Sequence, residues 1–324
     1  MTGRRVTLAL VAGLLAGLLP AGPAAAHGQD APTAGDYRVT VTAVVPAVAG
    51  VRVRAVEGGA RLELSNTGAS TVEVLGLQGE PFLRVSRTRV DENRAAPSLY
   101  SSRSRTGTAR LPAAVDAFAE PDWHPATGRS VVRWHDLRAA GRAPARTWSV
   151  PLFVDGGVPA VIRGTVEPVP PPPTPYWWAA SLAAAALIGL LGLTRRRPQT
   201  VFAVAGLGSG GLAVALTVAM ALSTRVPGSA TDLLAQLGGR IWPLLSGLAL
   251  AGVAVATARR PGADLVLCIA AGAVTFEVGT ANGAVLGHSV LAGPGWSRLA
   301  TAAVLATSAN SRSARGRAPW SGGK

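Results

Sequence analysis

The chain has one cysteine, Cys268, in 324 residues, so no internal disulfide can brace it. Any exported part must be held together by an apolar core alone. Lysine is confined to Lys324; with abundant Ala, Gly, Val and Arg, this reads as a high-GC coding bias rather than a nucleic-acid surface. Catalytic signatures are also missing. No GxSxG elbow, HExxH helix or phosphate-cradling glycine loop stands at a strand-to-helix junction. Acids are scarce in the second half, where Asp232, Asp264 and Glu277 are the only three.

The formal charge is +14, and its distribution decides its meaning. Residues 27 to 175 carry 17 Arg against 14 acids, whereas residues 176 to 324 carry 12 basic residues against three acids. The excess therefore lies in the apolar half. There, Arg clusters between hydrophobic runs report membrane orientation, not nucleic-acid binding.

Residues 1–26 have the plan of a signal peptide: Arg4 and Arg5, an apolar run from Val6 to Leu19, helix breakers at Pro20, Gly22 and Pro23, and Ala24-Ala25-Ala26. Cleavage after Ala26 would make His27 the first residue of an exported protein. From Tyr37 the pattern alternates with period two. Tyr37 to Val45, Val51 to Glu57, Arg61 to Asn66, Thr71 to Leu77 and Pro81 to Ser86 read as strands, and so do Val131 to Asp136, Thr147 to Val154 and Ala160 to Val166. About eight short strands over residues 27–166 predict an antiparallel, immunoglobulin-like β-sandwich. Asp91 to Ala119 fits neither period and reads as an irregular loop.

Glu167 to Pro175 is proline-rich and reads as a stiff spacer. Beyond it lie apolar segments at 176–193, 201–222, 241–258, 265–286 and 290–309. These predict an α-helical transmembrane bundle of about five helices, with a basic cytoplasmic tail at 311–324. The fifth segment is short for a bilayer, so four spans stay open. Arg195-Arg196-Arg197, Arg259-Arg260 and Arg312, Arg315 and Arg317 would all face inward, and Trp177, Trp178, Trp242 and Trp296 would mark the outer interface. The chain is thus expected in the plasma membrane, with its N-terminal domain extracellular and its C-terminus cytoplasmic.

Three histidines of the exported part, His27, His124 and His135, are candidate copper ligands, since imidazole and terminal-amine nitrogens suit Cu(II). If Pro121 to Asp136 is a hairpin turning at Thr127-Gly128, His124 lies opposite Val131. His135 is then about 13 Å farther along the same face, so one ion could hold His27 and one other, not all three. Otherwise His135 is a solvated strand residue beside Arg133. Glu277 is the only acid well inside an apolar run, which makes it a candidate transport residue or a hydrogen-bonded helix contact. His288 follows on nearly the same stripe, about 16 Å higher. The glycines of Gly206 to Gly211, and Gly279, Gly283 and Gly287, are expected to permit close helix packing.

Two stretches, Gly79 to Ser102 ("GEPFLRVSRTRVDENRAAPSLYSS") and Val131 to Arg138 ("VVRWHDLR"), resemble a group of actinobacterial envelope proteins. That group combines a signal peptide, a β-rich exported domain, a proline-rich junction and a C-terminal membrane region. Its members show a "WHDHR" run; here Trp134, His135, Asp136 and Arg138 match, and Leu137 replaces the second histidine. The resemblance implies location and architecture but no activity. A histidine at a mature N-terminus is also similar to periplasmic copper-resistance proteins, through His27 alone. The expectation is a non-enzymatic envelope protein that binds or scaffolds an envelope partner, with copper delivery and Glu277-dependent transport as alternatives.

Overall fold

The computed structural model describes residues 34–108, 110–141, 144–194, 198–226, 230–259 and 264–308. The expected signal peptide, His27, Arg195 to Arg197, Arg260 and the basic tail lie outside them.

Among the described residues, ten strands form two antiparallel sheets. They are β1 (Tyr37–Val45), β2 (Val51–Val56), β3 (Arg61–Asn66), β4 (Val72–Leu75), β5 (Pro81–Val85), β6 (Val90–Asn93), β7 (Trp123–Thr127), β8 (Val131–Trp134), β9 (Arg146–Val154) and β10 (Val158–Pro168). Seven make one sheet in the order β1-β10-β9-β4-β5-β6-β7, and three make the other in the order β2-β3-β8; neither sheet closes on itself. Alternation drives the segregation: in β9 and β10, Trp148, Val150, Leu152, Val154, Ala160, Ile162 and Val166 are buried and intervening residues are exposed or half-buried. They join Leu62, Leu64 and Trp134 of the smaller sheet and Phe82 of the larger in one hydrophobic cluster. Burial of an apolar side chain of this size contributes about 1.5–3 kcal/mol.

The stretch expected to be an irregular loop is partly regular. It contains most of β6 and a short helix, α1 (Pro97–Ser101). β6 escapes a hydropathy reading because Asp91 and Asn93 are buried in it. Hydrogen bonds compensate: Asn93 donates to the Pro81 carbonyl at 2.7 Å and Arg89 to Asp91 at 3.1 Å. The expected hairpin over Pro121 to Asp136 does not form. β7 pairs with β6, placing His124 opposite Glu92, whereas β8 pairs with β3, placing Val131 opposite Ser65.

The helical region comprises α2 (Thr174–Thr194), α3 (Pro198–Thr224), α4 (Ala230–Gly238), α5 (Ile241–Arg259), α6 (Asp264–Val274) and α7 (Ser297–Ser308). Among the described residues, α2, α3 and α5 are long and apolar enough to cross a membrane. The fourth expected span is shorter: α6 continues as a π-helical turn over Thr275–Thr280, then breaks. The fifth also starts late, at Ser297, because Gly293-Pro294-Gly295 cannot enter a helix and Val290 is engaged elsewhere. α4, between the second and third spans, has no counterpart in the sequence-based assignment.

Glycine sets the approach of α3 to α5. A Cβ on Gly210 would sit 2.5 Å from the Gly247 carbonyl oxygen and 2.8 Å from the Ala251 nitrogen. Gly279, Gly283 and Gly287 do not share one helical face. Gly279 packs on Leu305 of α7, while Gly283 and Gly287 lie past the break, beside Trp178 and Thr174 of α2.

Candidate functional site at the junction of sheets and helices

The turn between β2 and β3 is the most unusual backbone in the β-region. Glu57, Gly58 and Gly59 all have positive φ, at 56°, 68° and 86°. Glycine adopts this freely, but a glutamate there costs about 1 kcal/mol or more. The conformation turns the Glu57 carboxyl inward, where its side chain is fully buried between two arginines. Oε1 accepts from Arg61 Nη1 at 3.4 Å and Arg133 Nη1 at 3.3 Å, both long contacts. Oε2 is buried and has no partner among the described residues.

Cross-strand register supplies the rest. Arg54 stands opposite Glu63, and Glu63 opposite Arg133. Glu63 accepts from Arg54 Nε at 2.6 Å and Arg133 Nε at 2.7 Å. The two acids respond differently to similar surroundings. Burial pushes the Glu57 carboxyl above the ordinary range, and the charges of Arg61 and Arg133 only partly oppose this. Burial also raises Glu63, but the hydrogen bonds and charges of Arg54 and Arg133 outweigh it, leaving the group below the ordinary range.

Arg133 carries this cluster into the helical region. Its Nη1 also donates to the Thr224 carbonyl at 2.6 Å. Thr224 ends α3, so its carbonyl lacks a helical donor, and a cation there suits the negative end of the helix dipole. The Thr224 hydroxyl donates to Gln236 Oε1 at 3.1 Å, and Arg240 Nη1 donates to the same oxygen at 2.8 Å. Arg240, just ahead of α5, also lies within the field of Glu57.

A second contact lies at the start of β1. Gly35 and Val290 exchange two backbone hydrogen bonds, of 2.9 and 2.8 Å. Asp36 is bonded to His288 Nδ1 at 2.8 Å and accepts from the Ser289 amide at 3.0 Å. Burial would raise the Asp36 carboxyl, but the Ser289 and His288 interactions hold it below its usual range. The Ser289 hydroxyl donates to the Pro170 carbonyl, so the proline segment is tied down and not a free spacer. Arg298 secures the loop by donating to the Val285 carbonyl at 2.9 Å and to the His288 carbonyl.

Two cavities flank the cluster. One, of about 310 Å³, is lined by Tyr37, Gly58, Gly59, Arg105 and His135 among others. The other, of about 380 Å³, lies between Arg103 and Arg133 on one side and Thr224, Asp232 and Gln236 on the other.

The expected site residues are dispersed. His135 is buried, not solvated as expected, because it lies just past the short β8 and turns toward the β2–β3 turn. Its Nδ1 bonds the Ala60 carbonyl at 2.7 Å, and its Nε2 accepts from Arg61 Nε at 3.1 Å. These partners assign the neutral Nδ1–H tautomer and occupy the lone pair a metal would need. His124 is paired with Asp122 at 3.0 Å on the edge strand of the other sheet. Among the described residues, no group of three or more His, Cys, Asp and Glu could hold a metal ion. Glu277 is half-buried in the π-helical turn. His288 has left the helical stripe altogether and serves the junction with β1.

The two motif stretches meet and brace each other. Asp136 accepts from Trp134 Nε1 at 3.1 Å, from Arg138 Nε at 2.9 Å and Nη2 at 2.8 Å, and from the Arg138 amide at 3.0 Å. Arg138 also donates to the Leu75 and Gly76 carbonyls. Glu80 takes the Ser98 amide of α1 at 3.0 Å, and Phe82 meets Trp134 edge to face at 6.3 Å. The space left beside this corner is about 10 Å³, at most one water. The motif is therefore a structural corner.

Sequence reasoning missed Asp36, Glu57, Glu63 and Arg133 as a group. The Glu57-Gly58-Gly59 turn and the alternating Arg and Glu of β2 and β3 were the available signal. Comparison with protein-family models, curated proteins and solved structures finds no match.

Proposed function

We propose that this is an integral cell-envelope protein that holds an immunoglobulin-like β-sandwich on the outer face of the plasma membrane, where it binds or scaffolds an envelope partner without catalysis. The two sheets sharing one hydrophobic core favour the sandwich. Three long apolar helices and the inward-facing Arg clusters of the sequence favour membrane insertion in this orientation.

The observation that carries the reading is the polar junction. Arg133 reaches the end of α3, and Asp36 reaches the loop before α7. A β-region seated on the helices at two points presents its outward sheet surface to a partner, as binding and scaffolding require.

The test is crosslinking in intact cells followed by purification of the full chain. A partner recovered with wild-type protein, and lost when exposed residues of the seven-stranded sheet are replaced, supports the reading. Turnover of an envelope substrate by the purified full chain would overturn it.

Glu277 favours transport as a second reading, since π-helical turns recur at functional positions and this one holds a carboxyl in an apolar helix. Glu277→Gln should then abolish a flux. Unchanged growth and assembly in that variant would remove the reading.

A further inference from the structure

Glu57 is a buried carboxyl that the binding reading does not use. Its side chain is inaccessible, its two arginine contacts are long, and Oε2 has no partner among the described residues. Its turn is strained, and its position spans the two regions. Gly58 lies so close to Ala292 of the loop before α7 that a Cβ would come within 3.2 Å of it. Arg133 divides one nitrogen between Glu57 Oε1 at 3.3 Å and the Thr224 carbonyl at 2.6 Å.

We propose that seating of the β-region on the helices is proton-linked through Glu57, the seated arrangement taking up one proton at this carboxyl. The proton comes from bulk water and forms an O–H bond at Oε2, converting a buried carboxylate into a neutral acid. Arg133 then turns wholly toward the Thr224 carbonyl and Glu63. Separation of the two regions uncovers the turn to water, where Glu57 recovers the ordinary affinity of a carboxyl.

The sign follows from linkage. A carboxyl held above its ordinary range when seated binds its proton more tightly in that state. Seating is therefore favoured below the ordinary carboxylate range and progressively lost as pH rises through the raised value.

The other charged groups facing the turn do not supply this response. From β3 come Arg61 and Glu63, from β2 Arg54, from β8 Arg133, and from the α4–α5 elbow Arg240. Glu63 is held below the ordinary range and stays ionised in mild acid, and the arginines keep their charge. His135 bonds Arg61 and stands one step removed. His288 and Asp36 form the neighbouring contact; Asp36 is held low, so His288 is the group to separate experimentally.

The inference needs the two regions to touch and is independent of what the β-region binds. Its test uses the full chain in neutral-lipid nanodiscs, with Cys268→Ser and spin labels at Arg52→Cys on β2 and Ala235→Cys on α4, both exposed. Pulsed dipolar distances should show seated and separated populations. Lowering the pH from about 7.5 toward the ordinary carboxylate range should reduce the separated fraction at least about threefold, because a carboxyl held above that range when seated takes up its proton before an uncovered one does.

Glu57→Gln, which mimics the neutral acid, should show the small fraction at both pH values. His288→Gln should keep the wild-type response. A wild-type distribution that does not change with pH overturns the proposal, as does a Glu57→Gln variant that keeps the response or a His288→Gln variant that loses it. The wild-type titration and the His288 arm decide the matter even if Glu57→Gln misfolds.

Discussion

Asp136 accepts four hydrogen bonds, two of them from the Arg138 guanidinium at 2.8 and 2.9 Å, while Glu57, equally buried, has arginine contacts of 3.3 and 3.4 Å and an oxygen with no partner among the described residues. Both face guanidinium groups in the same β-region. The first lies in a corner whose every group is engaged and whose residual space is at most one water. The second lies where the β-region meets the helices, on a strained turn. A buried carboxylate with its lone pairs satisfied fixes structure; one left short stores a response to protons.

The comparison breaks most severely at Asp136. Asp136→Ala should destabilise the β-region by about 3–5 kcal/mol, because Arg138 and Trp134 lose their acceptor in a buried site. Tryptophan fluorescence during urea unfolding would measure this. A loss under about 1 kcal/mol would show that the corner does not carry the fold.

That corner was legible as a motif but not as a structure. The bounds of β1 and β3 coincide with the alternation read from the sequence, since each is long enough for period two to show. β6 is four residues with two buried polar groups, so its burial depends on distant hydrogen-bond partners that no local pattern reveals. β7 and β8 are adjacent in sequence yet join different sheets, which defeats the hairpin inference that put His124 and His135 on one face, about 13 Å apart. The junction is less legible still. Arg133 and Thr224 are 91 residues apart, and Asp36 and His288 are 252 apart.

Next in size is the helix crossing beneath the junction. Gly210→Val places side-chain atoms where the Gly247 carbonyl and Ala251 nitrogen already sit, so α3 and α5 must separate. The expected loss is about 2–3 kcal/mol, by analogy with overpacking in cores. Thermal unfolding in nanodiscs checks it, and Gly208→Val, where a Cβ meets open space, is the control that should change little.

Glu57→Gln should act in the direction opposite to Asp136→Ala. At neutral pH it removes a buried charge and keeps the shape, so the melting temperature of the full chain should rise slightly. As the pH falls toward the ordinary carboxylate range the wild type should approach the variant, because a carboxyl held above that range takes up its proton first. A variant less stable than wild type across that range would place Glu57 beside Asp136 as a structural acid.

The smallest effect is expected at His124. Its bond to Asp122 joins two partly exposed side chains on an edge strand, so His124→Ala should change stability by no more than about 0.5 kcal/mol. The variant also tests the copper alternative. The His135 lone pair is already held by Arg61, so the copper alternative now rests on His27 with His124. Calorimetric titration should give the same weak binding in wild type and His124→Ala. A strong Cu(II) affinity lost in His124→Ala, and lost again when one residue is added before His27, would instead establish a metal site at the far edge of the seven-stranded sheet, remote from the junction.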